Sequence, residues 1–333
     1  MRERTLVSYA KRLVGRHPVG AFLVIAIGAL LATAAIPPLT ANDIPPFDSP
    51  LFGVVGGILG VGLGALVVTG VTAGRAGVAD LTRRTLRWRV AVRWYLIALF
   101  GVPVAATSLA LAIYGFEALQ SPADGWPLAL AEVAALFVIQ LFLFQFAEEV
   151  GFTGFLQDRW QDRFSALRLT TYVAFFWALW HVPDHFGEEG WGLEPLVTAP
   201  VVFVIEFVSL FFARALFVWF YDHTGRSVLL VAIFHASFDA SISELSYDVV
   251  PGSNAARFLI FSAVIILAAT AVIVVTRGRF AGGSGARAAH DEQNAGCRAE
   301  RPTKEQCISN GDRRSGAVLQ PHPIGVSREG ELP

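Results

Sequence analysis

Two adjacent carboxylates interrupt a long apolar run in the middle of the chain. The segment LFLFQFAEEVGFTGFLQDRW places Glu148 and Glu149 among Phe144, Phe146 and Phe152, which disfavours the simpler interpretation of interfacial or helix-capping acids. An ionisable group at the centre of a bilayer costs at least about 2.5 kcal/mol, so its presence calls for a partner or a function. Neighbouring helical residues point in different directions, so one carboxylate is free for chemistry while the other orients it or braces another helix.

Two histidines stand in other apolar runs. The segment FFWALWHVP places His181 one helical turn after Trp177 and two residues before Pro183, which disrupts the helix. In IFHASFD, His235 and Asp239 are four residues apart and therefore lie on one face of a helix. The simpler alternatives are a histidine hydrogen-bonded at a helix end and a packing hydrogen bond between helices.

A carboxylate with two imidazoles and a second acid is a set of groups that can activate a water molecule. The glutamate takes the proton of the water, and histidine donates to or positions the developing oxyanion. The same groups match zinc, whose usual protein ligands include imidazole nitrogen and carboxylate oxygen. Both chemistries stay open: a catalytic set of Glu148, Glu149, His181, His235 and Asp239, or a zinc site formed by Glu148, His181, His235 and Asp239.

The elements that must position these residues are membrane helices. The 333 residues are 54% hydrophobic and 16% charged, against about 25% charged in a typical soluble domain. Runs such as FLIFSAVIILAATAVIVV reach the roughly 18 residues that separate a membrane span from a buried helix. We predict an all-α bundle of about eight spans, at residues 18–40, 51–74, 92–115, 127–156, 168–183, 197–221, 227–243 and 256–276.

The charges between the spans predict an orientation. Basic residues precede the first span, occupy the connections after the second, fourth and sixth, and follow the last, whereas the alternate connections carry mainly acids. Basic connections face the cytoplasm. We therefore expect a multi-pass cell-membrane protein with both termini cytoplasmic, consisting of an N-terminal segment (1–17), a transmembrane domain (18–276) and a disordered tail (277–333).

Three further features have structural interpretations. The second span is glycine-rich (GVVGGILGVGLGALVVTG), and small residues let helices approach closely in lipid, so we predict a packing role. Glu206 lies deep in a span, and we expect it and Arg214, two turns on, to satisfy each other through a neighbouring helix or water. His185 follows His181 by four residues, but Pro183 between them spoils the geometry of a two-histidine metal site.

The order and spacing of the motifs resemble the CPBP family. Three motifs occur in order, each on its own span: Glu-Glu followed by Gly-Phe-x-Gly, an aromatic residue four positions before a histidine, and His-x-x-x-Asp. The family comprises the CAAX-processing type II proteases, the bacteriocin-processing or immunity proteins and their bacterial relatives, the Abi family. Its motifs are Glu-Glu-x-x-x-Arg, Phe-x-x-x-His and His-x-x-x-Asn or Asp, and the likeness covers residues 126–243.

The resemblance implies a role for each candidate residue. Glu148 would be the water-activating glutamate and Glu149 a supporting residue, while His181, His235 and Asp239 would complete the site and its oxyanion support. The function implied is an intramembrane endopeptidase of the glutamate or metallo type. Its partners would be the lipid bilayer and a membrane-associated protein or peptide substrate, with no nucleic acid.

Two residues depart from the family pattern. Thr153 stands where the family has arginine, which removes a cation that could pair with Glu149, and Trp177 replaces phenylalanine. The first departure leaves an alternative function open, a catalytically inactive membrane scaffold or immunity-type protein of the same fold. A proton-coupled transporter would also use buried Glu and His, but the sequence shows no inverted repeat to support it.

Overall fold

The computed structural model describes residues 2–39, 50–116, 125–182, 193–242 and 254–280. These residues form helices and their connections, with no strand among them, so the predicted all-α class is confirmed. We number nine helices: α1 Arg2–Arg16, α2 Pro18–Leu39, α3 Pro50–Thr85, α4 Val92–Tyr114, α5 Trp126–Trp160, α6 Ala166–His181, α7 Leu193–His223, α8 Val228–Ala240 and α9 Asn254–Val275. Most of the predicted tail lies outside the described residues, as do Pro183 and His185.

The predicted spans fall on helices α2 to α9. By length and composition, four of the described helices are suited to cross a membrane, in α3, α4, α5 and α7, or five if the bent pair α1 and α2 counts as one span. Helix α6 has 16 residues and α8 has 13, and the apolar stretch Leu259–Val275 of α9 is also shorter than a full span. The chain is therefore a multi-pass membrane protein, but the count of eight spans is not confirmed.

Helix α4 shows how the bundle separates its core from lipid. Its buried positions recur every four residues, at Ala98, Val102 and Ala106, so one narrow face packs inward. Larger apolar side chains such as Phe100 and Val104 are more than half exposed on the other side. An apolar surface of this kind is typical of a helix that faces hydrocarbon.

Helices α2 and α3 pack closely through the glycines of the second predicted span. A methyl group placed on Gly60 would lie 2.3 Å from the Cβ of Ala29, and one on Gly57 would lie 2.6 Å from Leu30. The two backbones approach to a distance that only glycine permits. The predicted packing role of these glycines is confirmed.

Helix α5 also packs against α3 at glycines. A Cβ on Gly62 would lie 3.1 Å from the Cβ of Ala147, which directly precedes the two carboxylates. Gly151, on the next turn of α5, meets Val61 in the same way. Close packing against α3 therefore determines the depth and rotation of the segment that carries Glu148 and Glu149.

The connections that follow α3, α5 and α7 meet at one end of the bundle. Arg84 donates to the carbonyl of Gly154 (2.9 Å) and to the hydroxyl of Tyr221 (3.0 Å), and it pairs with Asp158 (3.1 Å). Ser227 accepts from a backbone N–H in the first turn of α8 and donates to the carbonyl of Arg87. The basic connections thus share one end, as the sequence predicts, and its assignment to the cytoplasm stays a prediction.

Helix α1 lies in the segment predicted only as a cytoplasmic N-terminus. It carries Lys11, Arg12 and Arg16 and meets α2 at a bend of 105°. A basic amphipathic helix at nearly a right angle to a span has the geometry of a helix lying in the membrane interface. The sequence does not predict this helix, because only its apolar neighbour has the length of a span.

The glycine contacts predict opposite effects for two Gly→Ala substitutions. At Gly151 the new methyl group would lie 2.2 Å from Val61 Cγ1 and 3.2 Å from the Val61 carbonyl oxygen, so Gly151→Ala should cost about 1–3 kcal/mol through overpacking. At Gly101, on the exposed face of α4, the nearest atom is 3.6 Å away, and Gly101→Ala should be neutral or slightly stabilising. Thermal unfolding in detergent micelles measures both, and equal stability of the two variants would contradict the close packing of α3 and α5.

Candidate active site

The two glutamates lie on a short α-helical turn between two π-helical segments of α5. The segments Gln140–Gln145 and Val150–Gln157 are π-helical, and Phe146–Glu149 between them is α-helical. A π-helical turn contains an extra residue, shifts the direction of the side chains that follow, and often occurs at functional sites. Here Glu148 is 3% exposed and Glu149 is fully buried, and each meets a different set of partners.

Glu148 faces helix α6. Its Oε1 accepts a hydrogen bond from the indole Nε1 of Trp177 and lies 4.0 Å from Nε2 of His181. Trp177 and His181 are one turn apart, as the sequence predicts, so both reach the same carboxylate. Trp177, which replaces the family's phenylalanine, therefore gives Glu148 a hydrogen-bond donor that phenylalanine would lack.

Glu149 faces helix α8. Its Oε1 lies 2.9 Å from Nδ1 of His235, whose Nε2 lies 3.6 Å from Oδ2 of Asp239. Because a carboxylate only accepts, Nδ1 of His235 carries the proton in this hydrogen bond. The ring is thereby oriented with Nε2 toward Asp239, and the predicted His235 and Asp239 pair lies on one face of α8.

An arginine from helix α7 completes the surroundings of Glu149. Arg214 is fully buried, and its guanidinium donates to both carboxylate oxygens, with NH1 to Oε2 at 3.1 Å and NH2 to Oε1 at 3.4 Å. The guanidinium also lies over the rings of Trp177 (4.3 Å) and Phe217 (5.0 Å). We expected Arg214 and Glu206 to satisfy each other through a neighbouring helix or water, but the guanidinium of Arg214 binds Glu149.

Thr153 joins this ion pair. Its hydroxyl donates to Oε2 of Glu149 and accepts from NH1 of Arg214 at 2.9 Å. From the motif alone, Thr153 predicts the loss of a cation at Glu149. The structure supplies that cation from α7, with the threonine hydroxyl bridging acid and base. A lone arginine in the apolar run FVSLFFARALFVWFY signals a buried partner, but spacing along the chain does not identify Glu149 as that partner.

A cavity borders Glu148 and His181. Its volume is about 120 Å³, which is enough for several water molecules. Helices α2, α3, α5 and α6 surround it, with apolar walls from Leu30, Ile58 and Phe144 and polar groups from Gln140, Gln145 and Trp180. The pair predicted to activate a water molecule thus has space for water beside it.

The described residues contain no set of donor atoms that matches a zinc ion. Among the described residues, no group of three or more His, Cys, Asp or Glu side chains has the arrangement that would hold a metal ion. Glu149 and His235 already bind each other, and Glu148 accepts from Trp177. Glu148, His181, His235 and Asp239 do not form a group of this kind in the described geometry, and the zinc alternative stays a prediction.

Comparison with known proteins leads to the same family as the motifs. Residues 130–241 match the family model of the type II CAAX prenyl endopeptidases, Rce1-like. The resemblance to the CPBP family that the motifs predict is confirmed. The chain is also similar to CAAX prenyl protease 2 of Methanococcus maripaludis, with 26% identity over 135 residues, which are 39% of this chain and 50% of that relative. It thus spans about half the length of the curated relative that it matches.

The CPBP match includes all five predicted site residues. It also contains the residues that the motifs did not single out, Arg214, Gln145 and Trp180. The structure brings the five predicted residues into one cluster on α5, α6 and α8, with α7 contributing the arginine. Their chemical roles in this chain stay predictions.

The bridged ion pair predicts a rescue experiment. Arg214→Ala leaves a buried carboxylate without its cation and should destabilise the protein by about 3–5 kcal/mol. Residue 153 lies four positions after Glu149 on α5, so the arginine introduced by Thr153→Arg can pair with it in the space vacated by Arg214→Ala. The double variant should recover much of the lost stability in thermal unfolding.

The control is Arg83→Ala, because Arg83 forms an exposed pair with Asp80 that should contribute at most about 1 kcal/mol. Wild-type stability of Arg214→Ala, or a double variant no more stable than the single one, would contradict the role assigned to this ion pair.

Proposed function

We propose that this protein is an intramembrane endopeptidase in which Glu148 activates a water molecule to hydrolyse a peptide bond. The observation that carries the proposal is the position of Glu148, buried between Trp177 and His181 at the edge of a cavity large enough for water. The family match supports the same activity.

The first step is the activation of water. Trp177 donates to Oε1 of Glu148, so we assign the water to Oε2 and to the cavity side. Glu148 removes a proton from the water as its oxygen attacks the carbonyl carbon of the peptide bond. A tetrahedral oxyanion forms, and the proton held by Glu148 passes to the leaving nitrogen when the C–N bond breaks.

The histidines stabilise the charge that develops on the carbonyl oxygen. His235 is oriented through Nδ1 by Glu149, which Arg214 and Thr153 hold in turn. This leaves Nε2 of His235 as the nitrogen that donates to the oxyanion when it is protonated. His181, beside Glu148 and more exposed, positions the water or the substrate carbonyl.

The scaffold alternative loses its main support. It depended on the absence of a cation at Glu149, and Arg214 provides one. For the substrate, the family model is described as a CAAX prenyl endopeptidase and the curated relative as a CAAX prenyl protease. We therefore propose a membrane-associated peptide or protein, with prenylated C-terminal peptides as the first class to test.

Replacement of Glu148 should abolish cleavage without unfolding the protein. Purified wild type and Glu148→Gln are incubated in liposomes with a peptide library that includes farnesylated CAAX peptides, and products are identified by mass spectrometry. Because general-base catalysis contributes about 10²–10⁴-fold, the variant should lose at least about 100-fold in rate. Glu132→Gln, a change of the same type at an exposed position of α5, is the control and should cleave like wild type.

Two outcomes contradict the proposal. Cleavage by Glu148→Gln at the wild-type rate would remove this glutamate from the reaction. Failure of folded wild type to cleave any peptide would favour the scaffold. A zinc chelator separates the two chemistries, because we expect wild-type cleavage to continue in its presence, whereas loss that added zinc restores would establish a metal site.

A further inference from the structure

Two buried polar atoms in the wall of the cavity have no partner in the part of the chain that the structure describes. They are the amide oxygen Oε1 of Gln145 and the indole nitrogen Nε1 of Trp180. Both side chains are 4% exposed, and both line the cavity that Glu148 and His181 border. An unsatisfied buried polar group costs about 1–3 kcal/mol, so a group of this kind beside a cavity calls for a ligand.

The orientation of the Gln145 amide follows from its neighbours. Its Nε2 donates to Oδ2 of Asp239 and to Oε1 of Gln140 (3.3 Å). Because the carboxylate of Asp239 accepts, the amide nitrogen must face it, and Oε1 is left as an acceptor on the other side. Gln145 thus offers the cavity an acceptor, while its other end contacts the Asp239 and His235 pair.

Trp180 offers the complementary group. An indole nitrogen can only donate, and the ring is held edge-on between Phe152 (6.1 Å) and His181 (4.9 Å). Trp177, one turn earlier, has a different function, because its own N–H donates to Glu148. The cavity wall therefore contains one fixed donor and one fixed acceptor, next to the proposed catalytic glutamate.

We propose that Gln145 and Trp180 bind the backbone of the substrate peptide beside the bond that is cut. A peptide backbone presents N–H donors and C=O acceptors, which match Oε1 of Gln145 and Nε1–H of Trp180. The inference rests on the proposed function and deepens it, because it names the groups that orient the substrate. It implies that the site recognises extended backbone at these positions rather than a particular side chain.

The test for Gln145 compares peptides with ester analogues. In the fastest-cleaved library peptide, one backbone N–H near the scissile bond at a time is replaced by an ester oxygen. Wild type should lose about tenfold in kcat/KM at the position whose N–H Gln145 accepts. In Gln145→Met the ratio of kcat/KM for the amide to kcat/KM for the ester should fall to about one. A retained ratio, with amide and ester slowed equally, would overturn the proposal and leave Gln145 as a partner of Asp239.

The test for Trp180 uses Trp180→Phe, which keeps an aromatic ring and removes the N–H. It should raise KM about tenfold with little change in kcat, because the hydrogen bond contributes to binding in both ground and transition states. Trp160→Phe, in the aromatic cluster with Phe164 and Tyr172, is the control and should leave KM unchanged. Unchanged KM in folded Trp180→Phe would overturn this half of the proposal.

A binding measurement separates this inference from the proposed function. Glu148→Gln, with hydrolysis blocked, is titrated with a farnesylated CAAX peptide and its ester analogues, and Kd is compared with that of Glu148→Gln/Gln145→Met. If Glu148→Gln binds the amide peptide more tightly than its ester analogue and the double variant does not, the result supports the backbone site even if wild type cleaves nothing. Wild-type cleavage without ester discrimination in Kd or kcat/KM overturns the backbone site and retains the peptidase.

Discussion

The buried ion pair between Glu149 and Arg214 is the interaction on which the rest of the site depends. Neither charge reaches water, so each would be prohibitively costly without the other, and Thr153 adds the hydrogen bond that completes their pairing. The pair joins α5 to α7, and through His235 it joins both to α8. The imidazole of His235 is thereby held by a network whose charges balance each other away from the reacting atoms. Glu148 remains a separate carboxylate with different neighbours.

Close packing and irregular helix geometry make this network possible. Glycines on α3 and α5 bring the helix that carries the glutamates against its neighbour, where larger residues would collide. The two π-helical segments of α5 then set the directions of Gln145, Glu148 and Glu149, and the carbonyl of Gly154 in the second segment accepts from Arg84. In lipid such a carbonyl needs a protein partner, because water is absent. The arginine at the end of the bundle thus stabilises the irregular backbone on which the site is built.

The motifs predicted which residues meet, but not what they bind. Glu148, Glu149, His181, His235 and Asp239 could be grouped from sequence because ionisable residues in apolar runs are few and their spacing on each helix is regular. The partner of Arg214 could not be predicted from sequence, because it depends on the rotation of α7 relative to α5. Helix α7 has several apolar faces, so its sequence permits more than one rotation. The π-helical segments have no periodic signal of their own, and α1 is too polar to resemble a span. The consequence was an incorrect interpretation of Thr153 as the loss of a charge.

A membrane-embedded peptidase faces a problem that a soluble one does not. A peptide bond that leaves water for a buried cavity loses the hydrogen bonds of its N–H and C=O groups, and each unsatisfied group costs several kcal/mol in hydrocarbon. Such a peptidase must replace those bonds before catalysis can start, with groups fixed in advance so that the substrate bears little of the cost of ordering them. The donor of Trp180 and the acceptor of Gln145 are held rigidly by aromatic contacts and by Asp239 and Gln140. In the proposed function, a bound peptide backbone recovers the free energy that these two buried polar groups cost in the free protein.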